Sequence, residues 1–81
     1  MMDKEAIKAR VQDFILNDME LEADVSNDNA ELTRDLGMSS LDFVDIKAFL
    51  LREFHFSPVA MDLLQLKTLD DLYNYILDHQ A

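Results

Sequence analysis

One glycine, Gly37, and one proline, Pro58, are all the backbone punctuation that this 81-residue chain contains. Hairpins and tight turns draw heavily on those two residue types, so their scarcity argues against a turn-rich fold of many short strands. Helices need no such punctuation, and the pattern favours them. Cysteine is absent, which removes both a disulfide framework and a cysteine-based metal site. An apolar share of 49% argues against wholesale disorder despite the high charge. Residues 1–81 are expected to form a single domain, a little above the size at which one core becomes hard to sustain.

Helical periodicity recurs along the chain. Ile7, Val11, Phe14 and Ile15 fall at i, i+4, i+7 and i+8, with Asp3 ahead of them as a cap, which predicts a first helix over about residues 3–17. Residues 18–38 lose that period and fill with Asp18, Asp24, Ser26, Asn27, Asp28 and Asn29, while Val25, Leu32 and Leu36 are spaced to pin this loop onto a core. A loop of about 20 residues in so small a domain is often functional, and only a short turn near residues 30–34 is expected within it. A second helix starts at Ser39 or Ser40 and runs to about Phe54. Its apolar residues divide into two stripes, one of Phe43, Ile46, Leu50 and Phe54, the other of Leu41, Val44, Ala48 and Leu51. Pro58 ends that region by driving the preceding residue out of helical geometry. Met61, Leu63, Leu64 and Leu66 suggest a short third helix over about 59–65. Thr68 caps a last one that buries Leu69, Leu72, Tyr73 and Ile76. The expected fold is all-α: a small irregular four-helix bundle of three main helices plus one short.

Seventeen acidic side chains against seven basic ones leave a net charge of −10. That field repels phosphate backbones, which disfavours nucleic acid, and it steers the chain toward basic patches on other proteins. Keeping a small domain in solution is a sufficient alternative use for it. No run approaches the roughly 18 apolar residues of a membrane span, and the opening Met1-Met2-Asp3-Lys4-Glu5 lacks a signal peptide's apolar core. A cytoplasmic monomer is the expectation.

The stretch Asp35-Leu36-Gly37-Met38-Ser39-Ser40-Leu41-Asp42 ends the long loop and opens the second helix. Ser39-x-x-Asp42 has the form of a capping box, with the shorter aspartate in the place usually taken by Glu or Gln. With Ser39 as the cap and Met38 stapled toward Phe43, Ser40 becomes the first helical residue and its hydroxyl faces solvent. A nucleophilic role for Ser40 would require a base within reach. His55 stands about fifteen residues further along the same helix, His79 belongs to a terminal segment expected to fray, and the surrounding residues do not form a Gly-x-Ser-x-Gly elbow. The acidic run Asp18, Glu20, Glu22, Asp24 and Asp28 lacks the ligand spacing and central glycine of an EF-hand, so no metal site is expected. Two readings of Ser40 stay open on physics alone. It either merely starts a helix, or it tethers an anionic group that benefits from the free N–H groups and positive dipole there.

These residues resemble the Asp-Leu-Gly-x-Asp-Ser-Leu-Asp attachment motif of acyl carrier proteins. The resemblance extends to the loop Ala23–Ala30, to Glu53-Phe54, to Lys67–Ile76 and to the tail His79-Gln80-Ala81. It implies that Ser40 receives 4′-phosphopantetheine from coenzyme A through a phosphopantetheinyl transferase and Mg²⁺, and that Asp35, Leu36, Gly37, Ser39, Leu41 and Asp42 form the surrounding cap and motif. It further implies a non-enzymatic carrier that presents thioester-bound acyl groups to acyl-transferring and chain-elongating enzymes of fatty-acid, polyketide or related lipid biosynthesis. Docking would use Leu41, Asp42, Val44, Asp45 and Ala48. A peptidyl, aminoacyl or D-alanyl carrier is the alternative within this class, and an unmodified helical adaptor the alternative outside it.

Three departures from the family's pattern stand out. Ser39 replaces the usual aspartate before the modified serine, which bears on which transferase recognises the chain. The second helix sets Lys47 and Arg52 against Asp42, Asp45 and Glu53, a balance near −1 where the family's helix is more acidic. Phe49 and Leu51 make it unusually apolar as well. Together these suggest specialised partners, as in a polyketide, aryl-polyene or unusual lipid pathway, docked more by apolar contact than by charge.

Overall fold

A computed structural model describes all 81 residues. Helix α1 spans Lys4–Asp13, α2 Ser40–Phe54, α3 Ala60–Gln65 and α4 Leu69–His79. Asp3 caps α1 by accepting from the Ala6 N–H at 2.9 Å. The helical path then continues to Asp18, but not as the uniform α-helix that the periodicity predicts. Phe14–Asp18 widens into one π-helical turn, closed by the Met19 N–H donating to the Phe14 carbonyl at 2.9 Å. Phe14 and Ile15 are adjacent in sequence and both buried, and the wider turn holds both toward the core. Glu20 then adopts a left-handed backbone, φ 54°, as the chain leaves the turn.

Nineteen buried apolar side chains form one continuous core. The face expected for α4 is all there: Leu69, Leu72, Tyr73 and Ile76 are buried, and α4 packs along α1. Val25, Leu32 and Leu36 are also buried and pin the long loop, joined by Ala30 and Met38. The loop is further tied to the beginning of α4. Glu31 and Thr68 pair as an isolated antiparallel bridge, Leu32 N–H donates to Lys67, and the Leu69 and Asp70 N–H groups donate back to Ala30 and Asp28. The expected turn lies slightly later than residues 30–34. The Asp35 and Leu36 N–H groups both donate to the Glu31 carbonyl.

One reading of α2 needs correction. Phe49 does not enrich an outer apolar surface: it is only 4% exposed, stacked on Phe14 at 4.1 Å and set edge-on to Phe54 at 5.7 Å. The stripe of Leu41, Val44, Ala48 and Leu51 is the one that α2 leaves exposed. The C-terminal segment is held rather than frayed. The His79 ring stacks on Tyr75 at 4.2 Å. Gln80 is buried and grips Met2 from both sides, its Oε1 accepting from the Met2 N–H at 2.9 Å and its Nε2 donating to the Met2 carbonyl at 2.6 Å.

Short α3 has one buried residue, Leu63, and its cap, Val59, offers no side-chain hydrogen bond. Its start is completed from α4 instead. The Tyr75 hydroxyl accepts from the Val59 N–H at 3.3 Å and donates to Asp62 Oδ2 at 3.4 Å. Pro58 is buried just before it.

Candidate functional site

The stretch from Asp35 to Asp42 is built residue by residue for aim. Asp35 Oδ2 accepts from the Glu31 N–H at 2.7 Å and closes the turn that precedes it. Leu36 is buried and anchors that turn to the core. Gly37 takes φ +71°, where any side chain would strain the backbone, although the space around it is open. Met38 is buried with Phe43 in the same core, and its N–H donates to Leu32 at 3.0 Å.

Ser39 caps α2 through a reciprocal box. The Asp42 N–H donates to Ser39 Oγ at 3.4 Å, and Asp42 Oδ2 accepts from the Ser39 N–H at 2.8 Å. The aspartate that stands where Glu or Gln is usual therefore reaches. The side-chain hydrogen bonds of the motif all run through Asp35, Ser39 and Asp42, and Ser40 is left as the first helical residue with an exposed side chain. A group esterified there would meet the free N–H groups and positive dipole of α2's first turn without displacing an existing bond.

Beside Ser40 runs a cleft of about 330 Å³ between α2 and α3. Ser40, Phe43, Val44 and Lys47 form one wall, Ala60, Leu63 and Leu64 the other. Among the residues singled out for docking, Val44 shares this cleft with Ser40. Leu41 stands clear in solvent at 76% exposure and Val44 at 62%. Asp45 and Ala48 lie elsewhere, in a second notch of about 310 Å³ with Phe14, Asp18, Met19 and Arg52. Asp42 is half-buried and committed to the cap. His55 sits at the far end of α2, about 22 Å along the axis from Ser40. It closes the helix in a left-handed conformation, φ 60°.

Electrostatic pairing is spread over the rest of the surface. Lys8 donates to Asp28 Oδ2 at 3.0 Å, a bond that raises the ammonium's pKa, and Lys4 pairs with Asp70 at 2.7 Å. Arg10 pairs with Glu53, joining α1 to α2. Burial pushes the Tyr73 hydroxyl up from its ordinary value. The hydrogen bond from Ser26 holds Asp24 down, so that carboxylate serves its own loop.

The cleft's far wall was not readable from the sequence, because α3 reaches it only through contacts with α2 and α4. Lys47 was readable in one respect: it lies seven residues from Ser40, close to two full turns of helix.

An all-α bundle of four helices with its long loop leading into a capped second helix is the architecture of an acyl-carrier-type domain. Comparison with known families agrees: residues 9–76 match the family described as "Phosphopantetheine attachment site". The chain is 26% identical over 80 residues to the acyl carrier protein of Syntrophobacter fumaroxidans, with 99% of each chain covered. It is 30% identical over 71 residues to the acyl carrier protein of Chlamydia caviae, covering 88% of this chain and 92% of that one. The chain belongs to the acyl carrier protein family, and the group it carries is 4′-phosphopantetheine. The exposed hydroxyl at a helix start, flanked by an apolar cleft, suits such a group.

Proposed function

We propose that Ser40 is the attachment residue and that the chain delivers acyl thioesters to enzymes of fatty-acid, polyketide or related specialised lipid biosynthesis, itself catalysing nothing. Transfer joins Ser40 Oγ to the phosphorus of the pantetheine half of coenzyme A. The adenosine bisphosphate half leaves, and the serine proton goes to solvent. The arm's thiol supplies the thioester chemistry, which a chain without cysteine cannot supply itself. The observation that carries the reading is the division of labour between adjacent serines, Ser39 spent on the cap and Ser40 exposed. Tethering raises the effective concentration of the load at each partner enzyme. Those partners dock on a face of α2 that starts at Leu41 and Val44 near the tether and continues to Asp45 and Ala48 along the helix, with Asp42 holding the helix start from which that face is presented.

Intact-mass measurement tests the tether. Incubation with coenzyme A, Mg²⁺ and a broad-specificity phosphopantetheinyl transferase adds one phosphopantetheine to the wild type and to Ser39→Ala, and none to Ser40→Ala. A folded protein that several transferases leave unmodified refutes it. Val44→Asp tests the face: helicity stays, and transfer of acyl groups by cognate enzymes falls. Unchanged transfer removes Val44 from the docking surface.

A further inference from the structure

Five of the seven lysine and arginine side chains lie within 4.0 Å of a carboxylate, and Lys47 is not among them. Its isolation follows from helix spacing. The residues three and four positions away on either side are Phe43, Val44, Leu50 and Leu51, all apolar, so α2 offers it no partner. Across the cleft stand Ala60, Leu63 and Leu64, and the nearest α3 carboxylate in sequence, Asp62, accepts from Tyr75 instead. Lys47 is thus the one charged residue lining an otherwise largely apolar cleft, in a molecule with seventeen acidic groups.

Ser40 lines the same cleft. Seven residues of helix separate the two Cα atoms by about 10.5 Å along the axis and bring them to nearly the same face. Helical side chains leave the backbone tilted toward the N-terminus, which is the direction of Ser40 from Lys47. Lys47 is exposed, so its stem can line the cleft while its ammonium stays free to meet an anion at the cleft's edge.

We propose that Lys47 is the counter-ion of the phosphodiester on Ser40, and that it lays the prosthetic arm along the α2–α3 cleft when no partner enzyme is bound. The inference rests on Ser40 being the attachment residue. The occupant is the chain's own arm, because its phosphate is an anion bonded to the same wall. The free N–H groups of α2's first turn face that phosphate from one side and Lys47 from the other. An exposed ion pair of this kind shifts a population by about two- to fivefold. Lys47 is then a positioning residue, making the arm's resting direction a property of this carrier.

Phosphorus-31 and lysine side-chain NMR of the holo-protein test this without any partner enzyme. The wild-type phosphodiester resonance should differ from that of Lys47→Gln, Lys47→Arg should restore it, and rising salt should move the wild type to the Lys47→Gln position. The Lys47 side-chain signal should shift between apo- and holo-protein. Lys67→Gln, which removes the other unpaired cation, should change nothing. Hydroxylamine should cleave an acyl thioester on Lys47→Gln about two- to fivefold faster than on wild type. Identical phosphorus resonances in wild type and Lys47→Gln overturn the proposal. So does a Lys47 response that appears only when the load bears a carboxylate, since the ammonium then serves the cargo. Failure of the mass shift at Ser40 removes the reading beneath the proposal and is seen separately, before any NMR.

Discussion

Phe49→Leu separates the buried from the exposed apolar residues of α2. Phe49 meets Phe14 and Phe54 as two aromatic pairs, at 4.1 and 5.7 Å, and is 4% exposed. Leucine replaces most of the apolar surface but neither pairing, and each pairing contributes about 0.5–1.5 kcal/mol beyond area. The substitution therefore costs about 1–3 kcal/mol, against a total stability of about 4–12 kcal/mol for a domain of this size. With a urea slope of about 1 kcal/mol per molar, the unfolding midpoint falls by about 1–3 M. Val44→Leu, made on a side chain 62% exposed, stays within about 0.5 kcal/mol of wild type. Urea titrations followed by far-UV circular dichroism measure both. Equal midpoints for the two variants would refute the argument, because α2 would then present a different face to the core.

Three further outcomes follow from the geometry. Replacing His55 with glycine relieves a left-handed backbone and raises stability by up to about 1 kcal/mol, read as a Tm increase of a few degrees; a fall would mean that the imidazole contributes more than the strain costs. Gln80→Ala removes both bonds to Met2 and costs about 1–2 kcal/mol, with lower NMR order parameters confined to the first residues of α1 and the last of α4. Asp71, in the capping box of α4, is held below its ordinary 3.8 chiefly by the Thr68 N–H, so the unfolded chain binds its proton more tightly. Its contribution is present above about pH 4 and is lost as pH falls through the lower folded value. Asp71→Asn should flatten the stability curve below about pH 4, and an unchanged acid slope in urea titrations would contradict it.

The helices legible from sequence were those that combine an apolar stripe with a cap. Thr68 followed by Leu69, Leu72, Tyr73 and Ile76 defines α4 locally, and Ser39 with Asp42 defines the start of α2. The end of α1 was not legible, because α and π turns differ only in how Phe14 and Ile15 share the core. Phe49 was misread for a related reason. It flanks the buried stripe on the side away from Leu41 and Val44, and only Phe14, brought in by the π turn, decides that this flank is covered. The motif around Ser40 was readable because its work is local: a turn, a glycine and a cap. The cleft depends on where α3 comes to rest, and that is set by Tyr75 from another helix.

The main-chain ties between the long loop and the beginning of α4 carry a consequence for the order in which the site assembles. Leu32, Ala30 and Asp28 pair with residues 35 to 42 positions further along the chain. Part of the order of the loop that leads to Ser40 therefore comes from the first turn of α4, the last helix in the sequence. A chain that has made α1 and α2 still lacks those ties. If Ser40 carries the arm as proposed, its attachment draws on the completed fold, and slow amide exchange at Leu32, Leu69 and Asp70 together would mark the moment those ties are made.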